Sequence, residues 1–209
     1  MKMFLLIFAA IPNLPFVQNL GLTGDLFDPI PERSLSRSDE CEQVRVNIQT
    51  DRQNIAHATA TTSCSFSQNL DVDTIYSSFL ESLRRNGTIE SENDNGNSIS
   101  LIYEDDTYNT GHGTISALFD STLSKNNSSI KYSARSREIH ATSYAASTQN
   151  INIDITFTLS ESSIDVMITR KVAIKKPSFD PFGQFEGKTR EGMVDQMEKL
   201  ISDLIKGSL

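Results

Sequence analysis

The sequence predicts an α+β fold of two layers, in which two amphipathic helices, the second C-terminal, cover a curved antiparallel sheet of about six to eight strands. Three observations predict it: long stretches where apolar and polar residues alternate, one helical apolar stripe early in the chain, and a second stripe at the carboxy-terminal end. A sheet with one apolar face needs cover, and only these two helices can supply it.

Composition limits the classes of partner. Of the 209 residues, 37% are hydrophobic and 22% are charged, which is typical of a globular protein. The net charge of −8 repels polyanions over most of the surface, so we expect no nucleic-acid partner.

The first residues are typical of an export signal. Lys2 precedes nine apolar residues, Met3–Ile11, whereas a membrane span needs about 20. Prolines and a mixed-charge run follow, so we expect residues 1–40 to be a leader and linker and residues 41–209 to be a single domain. A leader of this kind predicts a secreted or periplasmic protein. If Met3–Ile11 instead packs as a strand or helix, the protein is cytoplasmic.

The two cysteines lie in a predicted hairpin. Val44, Val46 and Ile48 alternate with polar residues, and a turn between Arg52 and Gln53 makes opposed positions sum to 105. In that register Cys41 and Cys64 face each other, close enough for a disulfide. Two buried free thiols in a cytosolic protein are the alternative.

Helical periodicity marks two segments. The first carries a stripe from Val72 to Leu83, with Asp71 or Asp73 as its cap and Asn86-Gly87 at its end. The second covers residues 188–209, and its end is expected at Gly207. Its stripe is formed by Met193, Met197, Leu200, Ile201 and Leu204.

Between the helices, the sequence predicts β-strands over residues 88–175. The clearest pair turns at Ser160–Ser163, which makes opposed positions sum to 323 and puts both apolar sets on one face. Those sets are Ile151, Ile153, Ile155, Phe157 and Leu159 on one strand, and Ile164, Val166, Ile168, Val172 and Ile174 on the other.

No recognised catalytic or nucleotide-binding motif occurs in the sequence, so we expect no catalytic residue and no cofactor. The cluster Glu104, Asp105, Asp106 and His112 has donor atoms for a metal, but a solvated hairpin turn has the same composition. We therefore expect no metal site.

Two features are unusual. Arg170 falls at an apolar position, opposite Ile153, where it either anchors an acidic group inside a cavity or extends its head to water at the rim. The segment "FDPFGQF" carries Phe179, Phe182 and Phe185, which either form a lid over an apolar pocket or hold the joint to the helix.

The order of elements resembles the helix-grip superfamily of START and Bet v 1-like proteins, in which a curved antiparallel sheet wraps a long carboxy-terminal helix. The resemblance covers about residues 55–207. The stretches "FLESLRRNGTI" and "SFDPFGQFEGKTREGM" also look like the first helix end and last strand-to-helix joint of the outer-membrane lipopolysaccharide-assembly lipoprotein family. Neither resemblance implies a catalytic residue here.

Three functions remain open, and the third, an enzyme, would require convergent titratable groups in a cleft. The first is a non-catalytic, extracytoplasmic binding module for an apolar or amphiphilic ligand, such as a lipid, held between the sheet and the C-terminal helix. The alternative is an envelope assembly or adaptor protein that acts through protein contacts. For the first, the expected ligand-binding residues are Ile153, Ile155, Phe157, Ile168, Arg170, Val172, Phe182, Met197 and Leu200.

Overall fold

The computed structural model describes residues 41–67, 70–94, 97–109, 114–141, 148–178, 180 and 183–208. All of them belong to one compact unit, Arg37–Leu209. The predicted leader, residues 1–40, lies outside the described residues. In chain order the elements are β1 Arg45–Thr50, β2 Ile55–Phe66, α1 Val72–Asn86, β3 Gly87–Asp94, β4 Ser98–Asn109, β5 Thr114–Lys125, β6 Ser129–Ala141, β7 Thr148–Leu159, β8 Ile164–Lys175 and α2 Gln184–Ser208.

The strands form one curved, open antiparallel sheet in the order β1-β2-β8-β7-β6-β5-β4-β3. The two helices contact each other and lie on its inner face, since α2 contacts β1 and β2 whereas α1 contacts β3, β5 and β6. This arrangement confirms the predicted α+β, helix-grip-like fold. Within the described residues, neither helix combines the length and hydropathy that a membrane span requires.

The predicted β7–β8 register is confirmed. Ile151 lies opposite Val172, Ile155 opposite Ile168, and Leu159 opposite Ile164, each pair summing to 323. The hairpin turns where expected, since the Ser160 N–H donates to the Ser163 carbonyl oxygen at 2.9 Å.

The predicted β1–β2 register is wrong by one residue. Val46 lies opposite Ala60, so the residue numbers of paired strand residues sum to 106 and not to 105. Cys41 and Cys64 nevertheless face each other, as the predicted sum of 105 requires. Residues 42–44 lie outside the strands and absorb the one-residue difference. The sulfur atoms of Cys41 and Cys64 are 2.13 Å apart, so the expected disulfide is present.

Both helices begin at an aspartate cap. Asp71 accepts hydrogen bonds from the Thr74 N–H at 2.7 Å and the Thr74 hydroxyl at 2.8 Å, so it is the cap of α1. Asp180 accepts from the Gln184 and Phe185 N–H groups, so α2 begins four residues before the predicted start at 188. The helix also continues through the predicted end at Gly207 to Ser208.

Candidate functional site

A cavity of about 110 Å³ lies between the inner face of the sheet and the two helices. Lys199, which is exposed, lines it, so the cavity reaches the surface. Its lining residues come from α1, from five neighbouring strands and from the carboxy-terminal half of α2. They are Phe79, Ser82, Leu83, Tyr103, Phe119, Tyr132, Ile153, Ile155, Arg170, Gln196, Lys199, Leu200, Asp203 and Leu204.

Strand register puts the lining residues of the sheet side by side. Inward-facing residues oppose each other in antiparallel strands, so side chains far apart in sequence meet on one face. Tyr103 lies opposite Phe119 in β4–β5. Tyr132 lies opposite Ile155 in β6–β7. The floor of the cavity therefore extends across the sheet from β4 to β8.

Aromatic rings meet where α1 packs on the sheet beside the cavity. The Phe79 ring meets the Tyr132 ring edge to face, with centroids 5.2 Å apart, and the Phe157 ring at 5.6 Å. The Tyr132 hydroxyl is hydrogen-bonded to the buried Ser121 hydroxyl at 3.2 Å. Tyr132 thus has its ring in the wall and its polar end satisfied inside the sheet.

Arg170 is the buried cation of this interior. Its side chain is on the inner face of β8, between Ala60 on β2 and Ile153 on β7, and only 6% of its surface is exposed. The alanine leaves room beside the long arginine side chain. Arg170 lines the cavity, so of the two expectations for this residue the exposed rim position does not hold.

Three of the five described α2 residues that line the cavity are polar. Gln196, Lys199 and Asp203 recur every three or four residues, which places them on one face of the helix. Ser82 on α1 is also polar and buried, and it lines the same space. Apolar and polar surfaces are thus both available to an occupant of the cavity.

The amino-terminal half of α2 is tied to the sheet beside the cavity. The Arg190 guanidinium donates to the Val46 carbonyl oxygen on β1. The Lys176 ammonium, one residue after β8, pairs with Glu186 at 3.3 Å and lies 5.6 Å from the centre of the Phe185 ring. These contacts fix the helix start, so α2 is anchored at one end and borders the cavity at the other.

A second interior space is almost filled. It measures about 10 Å³, less than one water molecule requires. We call its lining residues the filled region: Cys64, Phe66, Val166, Ile168, Ile201, Leu204 and Ile205.

The expected ligand-binding residues are divided by the structure. Ile153, Ile155, Arg170 and Leu200 line the cavity. Phe182 lies outside the described residues. The remaining four are buried but are not part of the cavity lining: Phe157, Ile168, Val172 and Met197.

Sequence reasoning missed the contribution of α1 and of strands β4–β6. Apart from Ser82, these residues are apolar or aromatic residues at inward positions, so the sequence indicates only that they are part of the core. Tyrosine at an inward position was the available signal, because its hydroxyl needs a polar partner or a cavity. The missed residues on α1 and on these strands are Phe79, Ser82, Leu83, Tyr103, Phe119 and Tyr132, and those on α2 are Gln196, Lys199, Asp203 and Leu204.

Two carboxylates outside the cavity have shifted pKa values. The Ile55 N–H, and after it the His57 ring, donate to Asp51 and lower the pKa of that carboxylate. The Thr74 N–H and then the Thr74 hydroxyl lower the pKa of Asp71 in the same way. Among the described residues, no group of three or more potential ligands is arranged to hold a metal ion.

No family model matches the chain, and no curated protein matches it in sequence. Solved structures do match in fold. A START superfamily protein from Mycobacterium smegmatis is 11% identical, with a TM-score of 0.37 over 68% of this chain and 98% of that one. An aromatase/cyclase from a Streptomyces species is 9% identical, with a TM-score of 0.38 over 73% of this chain and 94% of that one.

A third match is a STAR-related lipid transfer protein from Xanthomonas axonopodis, 8% identical, with a TM-score of 0.35 over 64% of this chain and 85% of that one. These neighbours belong to the START and Bet v 1-like group that the element order resembles. Likeness at this level concerns the fold alone.

Proposed function

We propose that this chain is a non-catalytic binding module for an apolar or amphiphilic small molecule, held between the sheet and α2 in an extracytoplasmic compartment. The observation that carries the proposal is the cavity of about 110 Å³ between the sheet and the helices. Protein interiors are close-packed, and an open space costs stability through the contacts that its walls lose. An occupant that restores those contacts explains why the space is kept.

The chemistry of the walls supports the ligand class. Aromatic and aliphatic side chains form the α1 and sheet walls, whereas one buried arginine and the polar face of α2 supply a few charged and hydrogen-bonding groups. Small-molecule sites in proteins have this composition, with apolar walls for affinity and sparse polar groups for orientation.

The disulfide supports the proposed compartment. Cys41 and Cys64 are joined, and such bonds persist in oxidising environments but are rare in the cytosol of most organisms. Export of the protein would be tested by the mass of the mature chain, which reports both leader cleavage and the oxidised cysteines.

The proposal is tested by binding with a filled-cavity variant. A panel of apolar and amphiphilic compounds, including a fluorescent fatty-acid analogue, is titrated against the wild type, Ile153→Phe and Met167→Phe. Ile153 lines the cavity, whereas Met167 is the matched control because it lies on β8 with 58% of its surface exposed. We expect at least one compound to bind, Ile153→Phe to weaken its binding, and Met167→Phe to bind as the wild type does.

A wild type that binds no member of the panel would overturn the proposal. Equal loss of binding in both variants would also count against the cavity as the site. In either case the alternative, an envelope adaptor that acts through protein contacts, becomes the better account.

A further inference from the structure

We infer that the ligand is a small aromatic carboxylate, with a single ring in the cavity and its carboxylate at Arg170. This inference rests on the proposed function and narrows its ligand class. Three properties of the cavity lead to it: its size, its aromatic wall and the sign of its charge.

The volume of the cavity favours a ligand with a single ring over a lipid chain. Drug-sized ligands occupy pockets of about 300–1,000 Å³, and an engineered apolar cavity of about 150 Å³ takes up benzene. The cavity here measures about 110 Å³ and is open to the surface. Because it is smaller than that benzene-binding cavity but open on one side, it can hold a single ring only with part of the ring at the opening, whereas a long acyl chain would require α2 to move from the sheet.

The walls favour an aromatic ring over an aliphatic group of the same size. Phe79, Tyr103, Phe119 and Tyr132 contribute four rings to one small space. Aromatic pairs in edge-to-face or offset geometry gain about 0.5–1.5 kcal/mol beyond the area that they bury. Phe79 and Tyr132 already adopt the edge-to-face geometry, with an interplanar angle of 74°.

Charge selects an anion. Among the described residues, two cations, Arg170 and Lys199, and one acid, Asp203, line the cavity, so this described part of the lining has a formal charge of plus one. Lys199 and Asp203 contribute opposite charges from the same helix, whereas Arg170 comes from the opposite wall on β8. The guanidinium has five N–H donors, so it can bind a carboxylate through two hydrogen bonds in addition to other partners.

The test uses three probes with the wild-type protein in isothermal titration calorimetry. Benzoate has the ring and the charge, benzyl alcohol has the ring without the charge, and dodecanoate has the charge with a long chain. We expect benzoate to bind at least tenfold more tightly than either of the others, because each lacks one of the two features.

The outcomes distinguish this inference from the proposed function. Tighter binding of dodecanoate would overturn the inference and leave the proposed function standing with a lipid-like ligand. Equal binding of benzyl alcohol and benzoate would overturn the role of charge. Failure of all three probes and of the broader panel would overturn the proposed function as well.

The substitution Arg170→Met tests whether Arg170 binds the carboxylate of the ligand, and Arg135→Met is the matched control. Arg135 lies on the outer face of β6, where it pairs with Asp154 at 2.8 Å. We expect Arg170→Met to lose at least tenfold in benzoate affinity while its affinity for benzyl alcohol is unchanged, and Arg135→Met to match the wild type. If Arg170→Met does not fold, the three-probe comparison on the wild type still decides the inference. Retention of benzoate affinity by a folded Arg170→Met would overturn it.

Discussion

The interior between sheet and helices contains two unlike regions. The cavity has about 110 Å³ of open space, whereas the filled region has about 10 Å³. Both lie under α2, and Leu204 borders both of them. Because α2 borders both regions, the difference depends on which of its side chains face each region and on the side chains opposite them on the sheet and on α1.

The two regions differ in the kind of side chain that they contain. The filled region is lined by aliphatic side chains, one phenylalanine and a cysteine of the disulfide. The cavity is lined by residues with polar ends, among them Tyr103, Tyr132 and Arg170. A polar end must keep a hydrogen-bond partner, so it cannot turn inward to fill space as a leucine can. Polar groups at inward positions therefore keep part of the core open.

The largest expected effect is in the filled region. Phe66 is 2% exposed at the end of β2, and Phe66→Ala should lower the free energy of unfolding by about 3–5 kcal/mol, because the void cannot collapse. Denaturant unfolding measures this loss. The control, Met167→Ala on the outer face, should change the free energy by less than about 0.5 kcal/mol. A small loss at Phe66 would mean that this region is loosely packed.

The disulfide is the next largest contribution, and it borders the filled region through Cys64. Cys41→Ala removes a bridge that spans 23 residues, so the free energy of unfolding should fall by about 3 kcal/mol. A reductant should destabilise the wild type by a similar amount and leave Cys41→Ala unchanged. If the wild type is insensitive to reductant, the bridge does not constrain the chain as argued.

A matched pair of substitutions compares the regions directly. Ile153 lines the cavity and Ile168 lines the filled region. Ile168→Phe should cost about 1–3 kcal/mol by overpacking, whereas Ile153→Phe should cost less than about 1 kcal/mol because the ring enters open space. Unfolding curves of both variants under one condition give the comparison. Equal costs would show that the cavity has no room for the added ring.

Sequence patterns predicted the architecture because the strongest signals coincide with the buried faces. In β7 and β8 several apolar residues alternate on each strand, so a register that slips by one residue would separate the two sets. Among the registers that keep both sets on one face, the turn at Ser160–Ser163 selects the one that is present. The pattern was weaker in β2, where the inward residues include Ala56, Ala58 and Ala60. A register in which paired residue numbers sum to 105 puts these alanines opposite outward residues of β1. The requirement that inward residues oppose inward residues would by itself have favoured a sum of 106.

The candidate site was less predictable than the fold. Arg170 stood out because a charge at an inward position breaks the pattern, and it does line the cavity. Phe79 and Phe119 follow their patterns without exception, so nothing local separates a cavity wall from core. The open space depends on how α1 and α2 meet over the sheet, and the alternation of single strands contains no information on that distance.

The smallest expected effect concerns the α1 wall and depends on pH. Asp71 caps α1, which lines the cavity through Phe79, Ser82 and Leu83 but does not border the filled region. Hydrogen bonds from Thr74 lower the pKa of Asp71 below its ordinary value of 3.8, so the folded state favours the carboxylate. Its contribution is therefore fully present above that value and is lost as the pH falls through the folded pKa. Asp71→Ala should lower Tm slightly at neutral pH, and the difference from the wild type should shrink in acid.

Thermal unfolding of the wild type and Asp71→Ala between about pH 7 and pH 2.5 measures the effect, with Asp120→Asn on the outer face of β5 as the control. The cap fixes only the first turn of α1, so we expect benzoate affinity in the same variant to change less than twofold. If the packing of α1 instead transmits the loss of the cap to the cavity, the benzoate affinity of Asp71→Ala should fall by a large factor while its Tm changes only slightly. A Tm difference that stays constant into acid would mean that the Thr74 contacts do not depend on the charge of Asp71. The cap would then act as a neutral hydrogen-bond acceptor.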